Sequence, residues 1–311
     1  MGLLDGRVAV ITGAGRGLGR EHALLFASEG AKVVVNDLGG GAGGAGSDGT
    51  AAQAVVDEIK ALGGDAVANC RSVTDWEAAR DIVTTAVEEF GDLHIVVNNA
   101  GILRDRTLVN MTEDDFDIVI NVHLKGTFAV SHHAAAYWRE QAKNGATTDR
   151  SLINTSSGAG LHGNAGQVNY AAAKAGIASL TQVAAKELER YQVRANCIAP
   201  VARTRLTEAA PGLGEVMVDS VAKEFDEWHP ANVSPLVATL AAENCPFTGH
   251  TFRVLGGMVG LYQGWTMVDQ VDNDGRWTVE TLAAAMSRFP TRLENELPGR
   301  HWDKVRASRG E

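Results

Sequence analysis

The chain has 311 residues, of which 45% are apolar, enough for a substantial core and against global disorder. Formal net charge is −10, from 38 acidic against 28 basic residues, and no basic stripe stands out, so no nucleic-acid partner is expected. The three cysteines, Cys70, Cys197 and Cys245, lie far apart without metal-ligand spacing, which fits a reducing compartment better than a disulfide scaffold. The apolar start is too short to span a bilayer and no secretory signal is visible, so a cytoplasmic protein without membrane contact is expected.

Residues 7–12 predict a first strand. Gly13-Ala14-Gly15-Arg16-Gly17-Leu18-Gly19 follows, then a helical pattern to Gly30. Residues 31–36 carry the β-branched apolar run Val33-Val34-Val35, as in a strand covered on both faces, and they end at Asp37. Strand, glycine turn, helix and strand make a βαβ unit. A glycine-heavy loop, 38–49, is expected to be mobile. Helices over 50–62 and 74–90 flank a short strand at 65–69, with Thr74 as the cap of the second helix. A strand at 93–97 ends in Asn98-Asn99-Ala100-Gly101.

Thr112 is placed to cap a further helix, and a long one follows around 122–139. A strand at 151–155 ends in Ser156-Ser157, a helix covers 170–191, and a strand over 194–199 ends at Pro200. This alternation predicts a doubly wound α/β Rossmann fold, a central parallel sheet with helices on both faces. Residues 1–260 read as one catalytic domain, completed by a helix over 233–243 and a strand over 251–254. Within it, 201–230 reads as a lid, with a short helix at 215–225. Met217, Val218, Val221 and Phe225 would form its apolar face, toward an acyl chain, a sterol or simply the domain. Residues 261–311 form an extension with one helical stretch at 279–289, an oligomer contact or a cover for a neighbouring site.

Glycines directly after a first strand let backbone amides and a helix N-terminus approach a pyrophosphate. Asp37, at the carboxyl end of the second strand, can accept hydrogen bonds from an adenosine ribose and would repel a 2′-phosphate. Leu38 adds no positive charge there, whereas Arg16 in the glycine loop could meet phosphate; NAD is the expected cofactor. Tyr170 and Lys174 are four apart on a helix and share a face. An ammonium and an oxidised nicotinamide nearby favour the phenolate, so tyrosine can move a proton on or off an alcohol oxygen. Ser157, after a strand at the crevice end of the sheet, can donate to that oxygen.

These signatures together resemble the short-chain dehydrogenase/reductase family over about residues 5–260. The resemblance rests on Thr12 with the glycine run, Asn98–Gly101, Asn121, and Ser157 followed by Tyr170-Ala171-Ala172-Ala173-Lys174. It implies a catalytic group of Asn121, Ser157, Tyr170 and Lys174, with Tyr170 as acid/base and Ser157 positioning the substrate oxygen. Lys174 would bind nicotinamide ribose and lower the Tyr170 pKa, and Asn121 would hold a water linking Lys174 to a proton relay. It assigns the cofactor to Gly13, Arg16, Gly17, Leu18, Gly19, Asp37, Ser72, Val73, Asn99, Ala100, Gly101, Tyr170, Lys174, Pro200 and Thr204. Ser72, preceded by Arg71, stands where the family pattern has an aspartate against adenine, which weakens that contact.

A narrower likeness, over Val35–Gly40, Gly64–Asn69, Asn98–Arg106 and Gly163–Gln167, is to the dehydrogenase unit of peroxisomal multifunctional enzyme type 2 and to bacterial 17β-hydroxysteroid dehydrogenase relatives. It implies NAD-dependent oxidation of (3R)-hydroxyacyl-CoA, or alternatively of a 17β-hydroxysteroid or steroid-derived CoA thioester, in a homodimer or homotetramer. The contrasting reading is a catalytically silent NAD-binding assembly protein, against which the intact Ser–Tyr–Lys group argues.

Other residues have quieter readings. His162 is expected as a water-satisfied loop histidine rather than a substrate contact. His132 and His133 are neighbours without a convergent third ligand, so no metal site is expected. Cys197 reads as core. Arg104 and Arg106 either decorate a loop or attract a CoA phosphate.

Overall fold

The computed structural model describes residues 2–208 and 225–291. Its strands are β1 (Val8–Thr12), β2 (Lys32–Asn36), β3 (Asp65–Asn69), β4 (Ile95–Asn98), β5 (Arg150–Thr155), β6 (Val193–Pro200), β7 (Thr251–Leu255) and β8 (Met258–Tyr262). Its helices are α1 (Gly17–Ser28), α2 (Thr50–Ala61), α3 (Trp76–Phe90), α4 (Glu113–Ile120), α5 (Gly126–Lys143), α6 (Gly158–His162), α7 (Val168–Leu188), α8 (Arg205–Glu208), α9 (Ser234–Ala241) and α10 (Val279–Met286).

All eight strands join one sheet in the order β3-β2-β1-β4-β5-β6-β7-β8. Every neighbouring pair is parallel except β7–β8. After β3 the chain crosses β1 to lay down β4 on its other side. That reversal opens a crevice at the carboxyl ends of β1 and β4, where open α/β sheets bind ligands.

The continuous apolar runs have a direct cause. Ala9 and Ile11 of β1, Val33 and Val35 of β2, and Ile95 and Val97 of β4 enter one core with Phe26 of α1, Ile59 of α2 and Leu240 of α9. The alternate residues Val8, Val10, Val34 and Val96 enter a second core with Ile82 of α3 and Trp138 of α5. β1, β2 and β4 are therefore apolar on both faces, and each fully buried Val or Ile contributes about 1.5–3 kcal/mol.

Several local expectations change. The cap of α3 is Asp75, whose carboxylate accepts from the Ala78 N–H at 2.7 Å, and not Thr74; Thr74 instead shares a hydrogen bond with Ser72. Thr112 does cap α4, accepting from Asp115 N–H. The antiparallel edge strand β8 was not expected. Its residues alternate between half-buried and exposed, and Gly260 interrupts the apolar run. The helical stretch of the extension is α10, capped by Thr278 and ending at Met286.

The glycine loop after β2, expected to be mobile, is docked. Leu103 N–H donates to Ala42 O at 3.0 Å, and Arg104 Nε donates to Gly43 O at 2.8 Å. Among the described residues no helix is long and apolar enough to cross a membrane.

Candidate active site

The first turn is built from backbone and two side chains. Gly13 has φ +64°, and a Cβ there would lie 2.7 Å from Ala100 Cα. A Cβ on Gly19 would lie 2.2 Å from Gly13 O, so only glycine lets α1 start this close to β1. Thr12 Oγ1 accepts from the N–H groups of Asn99 and Ala100, at 3.0 and 3.1 Å. Asn99 Nδ2 donates back to Thr12 O and Gly13 O. These bonds tie the ends of β1 and β4 into one floor. Asn98 lies beneath that floor, bonded to Ser131 and Asn154 inside the sheet.

Above it lies a cleft of about 420 Å³. It is lined by Gly13, Arg16, Gly17, Leu18, Asp37, Ser72, Val73, Asn99, Ala100, Gly101, Tyr170, Lys174, Pro200 and Thr204. Of the cofactor residues read from sequence, Gly19 alone stands back from it, packed under the turn.

Asp37 is already engaged: Oδ2 accepts from Gly15 N–H at 2.8 Å and Oδ1 from Gly39 N–H at 2.6 Å. A carboxylate has further lone pairs, so these bonds aim it into the cleft without exhausting it. Arg16 is exposed at the rim. Arg71 is largely exposed, with Nε 3.8 Å from Asp81 Oδ2. The methyl of Thr204 lies 3.5 Å from the Cβ position of Gly17, so the segment after β6 closes the pyrophosphate end. A glycine cradle at a helix N-terminus, with a carboxylate at the end of β2, fits an adenine dinucleotide.

Beyond the cleft floor, α7 presents Tyr170 and Lys174. Lys174 Nζ donates to Thr155 O at 2.6 Å and lies 5.5 Å from the Tyr170 ring centroid. Ser156 Oγ donates to Lys174 O, fastening α7 to the end of β5. Burial pushes Lys174 down to about 8. Burial likewise pushes the Tyr170 phenol up to about 12; the facing Ser157 hydroxyl opposes that shift and the charge of Asp105 adds to it. Desolvation therefore outweighs the Ser157 hydrogen bond, and Lys174 is not among the groups that shift the phenol. Ser157 caps α6, its Oγ accepting from Ala159 N–H at 3.2 Å.

Two supports were not read from the sequence. Asn169 is buried and donates to Arg104 O and Asp115 O, while its Oδ1 accepts from Tyr170 N–H at 2.7 Å. It thereby fixes the start of α7 against two other segments. Asp105 Oδ2 accepts from Gln167 at 2.8 Å, and burial pushes this carboxyl up.

Asn121 is not brought to the site. It is exposed, does not line the cleft, and its carbonyl accepts from Gly126 N–H. The cause is a π-helical turn, Asn121–Lys125, between α4 and α5, which rotates this residue outward. His123 from the same turn faces inward instead. Its ring meets Tyr170 edge-on, centroids 5.1 Å apart. No signal local to His123 marked it, since a lone histidine in an apolar helical run reads as core.

The quieter residues find partners. His162 Nε2 lies 3.2 Å from Tyr262 Oη on β8, so its partner is a side chain rather than water alone. His132 and His133 pack against Trp76, and His133 Nε2 lies 3.0 Å from Trp76 O. Among the described residues no group of side chains is arranged to hold a metal ion. Cys197 is fully buried in β6, and burial pushes its thiol up to about 11. Arg104 is committed to the glycine loop; Arg106 is exposed and donates to Asp105 O. The expected lid helix lies outside the described residues except for Phe225, which is exposed. The flanks of that segment are joined: Arg203 pairs with Asp226, and Arg203 N–H donates to Trp228 O at 2.7 Å.

Comparison with known proteins matches residues 7–212 to the short chain dehydrogenase family. A short chain dehydrogenase from Mycobacterium avium has a crystal structure with TM-score 0.81 and 51% identity, covering 92% of this chain and 95% of that one. Peroxisomal multifunctional enzyme type 2 of Drosophila melanogaster is 47% identical over 253 residues, 81% of this chain and 39% of the fly protein. Hydroxyacyl-CoA dehydrogenase ChsB1 of Mycobacterium tuberculosis is 44% identical over 92% of this chain and 89% of its own length. The chain spans 26–39% of the length of four peroxisomal relatives, the fly protein among them, and 67% of peroxisomal multifunctional enzyme A of Dictyostelium discoideum.

Proposed function

The chain belongs to the short-chain dehydrogenase/reductase family, an NAD(P)-dependent oxidoreductase, and from that premise we propose that it oxidises (3R)-hydroxyacyl-CoA thioesters to 3-ketoacyl-CoA with NAD. The observation that carries the chemistry is Tyr170 lining the cleft, hydrogen-bonded to the Ser157 hydroxyl and with Lys174 Nζ 5.5 Å from its ring centroid. The thioester is supported by the bacterial relative named for hydroxyacyl-CoA, which matches nearly end to end. NAD rather than NADP is supported by Asp37, a carboxylate lining the cleft and held by two backbone amides, with the uncharged Leu38 next in the chain.

When bound, the nicotinamide supplies a hydride acceptor in oxidation and a donor in reduction. The chain does the rest. Glycines 13 and 17, the start of α1 and Asp37 hold and orient the dinucleotide. Ser157 Oγ donates to the reacting oxygen and fixes it near Tyr170 Oη. Tyr170 Oη takes the hydroxyl proton during oxidation and returns it during reduction. Lys174, with one N–H on Thr155 O, keeps two more for ribose hydroxyls, and its charge favours the phenolate once the site is filled.

The test is NADH formation by purified protein with (3R)- and (3S)-hydroxyacyl-CoAs of several chain lengths beside 17β-hydroxysteroids. Efficient oxidation of the R thioesters is expected. Turnover confined to steroids would move the assignment to a 17β-hydroxysteroid dehydrogenase, and tight NAD binding without any turnover would favour a silent assembly protein. A homo-oligomer is part of the proposal, supported by the exposed apolar residues Phe128, Val259, Leu261 and Trp265. Light scattering that finds a monomer would remove that part.

A further inference from the structure

His123 is 1% exposed, yet its Nδ1 has no hydrogen-bond partner among the described residues. The other nitrogen is well placed: Nε2 lies 2.7 Å from Ile102 O and 3.0 Å from Ile102 N. A neutral imidazole nitrogen either donates or accepts, so only one of these contacts is a hydrogen bond at a time. In either arrangement Nδ1 is left open, to accept when Nε2 donates to Ile102 O and to donate when Nε2 accepts from Ile102 N–H. Burial first, and then Lys174, push the imidazole down to about 3, so it stays neutral through the working pH range.

The place is built for this ring. Gly101 closes the end of β4, and a Cβ there would fall 2.5 Å from His123 Cε1. The π-helical turn brings His123 inward, and such turns recur where a helix is bent to functional use. The ring edge also supports Tyr170, at an interplanar angle of 90°. A buried polar atom without a partner in a native fold calls for an unseen one. His123 lines the cleft with Tyr170, Lys174 and Thr155, whose Oγ1 is likewise buried without a partner.

We propose that His123 is a positioning residue of the dehydrogenase reaction: its Nδ1 shares a hydrogen bond with an O–H group inside the cleft, and its ring fixes Tyr170 for proton transfer. This rests on the family's oxidoreductase chemistry and not on which alcohol is oxidised. The O–H belongs either to the bound dinucleotide or to solvent held in the cleft.

Two substitutions separate the atoms. His123→Asn keeps a polar atom at the δ position and loses the reach to Ile102. His123→Gln keeps a polar atom at the ε position and loses the one at δ. Each is measured for kcat and KM with the best alcohol, for NADH affinity by fluorescence titration, and for thermal unfolding. The expected result is that His123→Gln lowers kcat by about tenfold, the worth of one hydrogen bond, and that His123→Asn retains the larger share of kcat. A matching loss of NADH affinity in His123→Gln assigns the O–H to the dinucleotide, whereas unchanged affinity assigns it to solvent.

If His123→Gln keeps full kcat, or keeps more than His123→Asn, the ring serves only to brace Ile102 and the proposal is overturned. Should His123→Gln fail to fold, His123→Ala replaces it, and near-equal kcat for His123→Ala and His123→Asn overturns the proposal. Because any alcohol that is turned over serves as substrate, failure of the acyl-CoA assignment would leave this test intact.

Discussion

The two ends of the sheet carry opposite kinds of polar chemistry. At the amino end, Arg150 is nearly buried and donates to Asp92 at 2.9 Å and to Leu93 O, while Tyr137 donates to the same carboxylate at 2.8 Å. Arg7 and Arg194 share Asp149, with contacts of 3.3 and 2.8 Å. Arg7 Nε apart, each charge in this group meets a fixed counterpart. At the carboxyl end, Asp105 Oδ1, His123 Nδ1 and Thr155 Oγ1 are buried without partners among the described residues. One end spends its polar groups on the fold, whereas at the other His123 and Thr155 line the cleft with those atoms unpaired. Buried unpaired groups are destabilising, by about 1–3 kcal/mol each, so the site is a strain that the rest of the fold offsets.

The sharpest way to break this contrast is Tyr170→Phe. It should lower kcat by roughly a hundredfold to ten-thousandfold while leaving NADH affinity and unfolding temperature near the parent, as turnover, fluorescence and calorimetry would show. Full turnover by the variant would remove Tyr170 from its role. Arg150→Ala should do the reverse. Leaving the Asp92 carboxylate without its cation should cost about 3 kcal/mol in denaturant unfolding, with kcat at low temperature unchanged. Next comes Asp37→Asn, which should relax discrimination against NADP on the order of tenfold in kcat/KM. An unchanged preference would count against the carboxylate as its source.

The finest effect is in pH. Burial lowers His22, His94 and His123 below the ordinary histidine range, His22 and His123 to about 3. These rings are neutral in the fold while the unfolded chain takes up protons, so stability should fall as pH drops below about 6.5 and stay flat above it. Asp92 acts lower. Burial would raise it, but hydrogen bonds from Arg150, Tyr137 and the Leu93 N–H together hold it below the usual carboxylate range. Its contribution is present above about pH 4 and is lost as pH falls through its folded value. His123→Asn should flatten the upper window and Asp92→Asn the lower, each read from urea midpoints across pH. A parent whose stability does not change between pH 6.5 and 4.5 would contradict neutral buried imidazoles.

Much of this was legible in the chain because the forces involved are local or doubled. Val33, Val34 and Val35 announce a strand because both faces must be apolar, and Tyr170 with Lys174 are a helical pair whose shared face needs no tertiary knowledge. The glycine turn was legible because close backbone approach admits no other residue. Three things were hidden. β8 lies at an edge where one face is exposed and the apolar signal halves. The docking of the glycine loop depends on Arg104, distant in sequence. The exchange of Asn121 for His123 depends on one π-helical turn, which changes the phase of side chains without changing the composition of the helix.

The pairing of Arg203 with Asp226 has an evolutionary consequence. It anchors the residue next to Arg203, Thr204, which closes the cleft against Gly17, so the loss of either partner would reach the cofactor end of the site before it reached the core, and the two positions should be inherited as a pair.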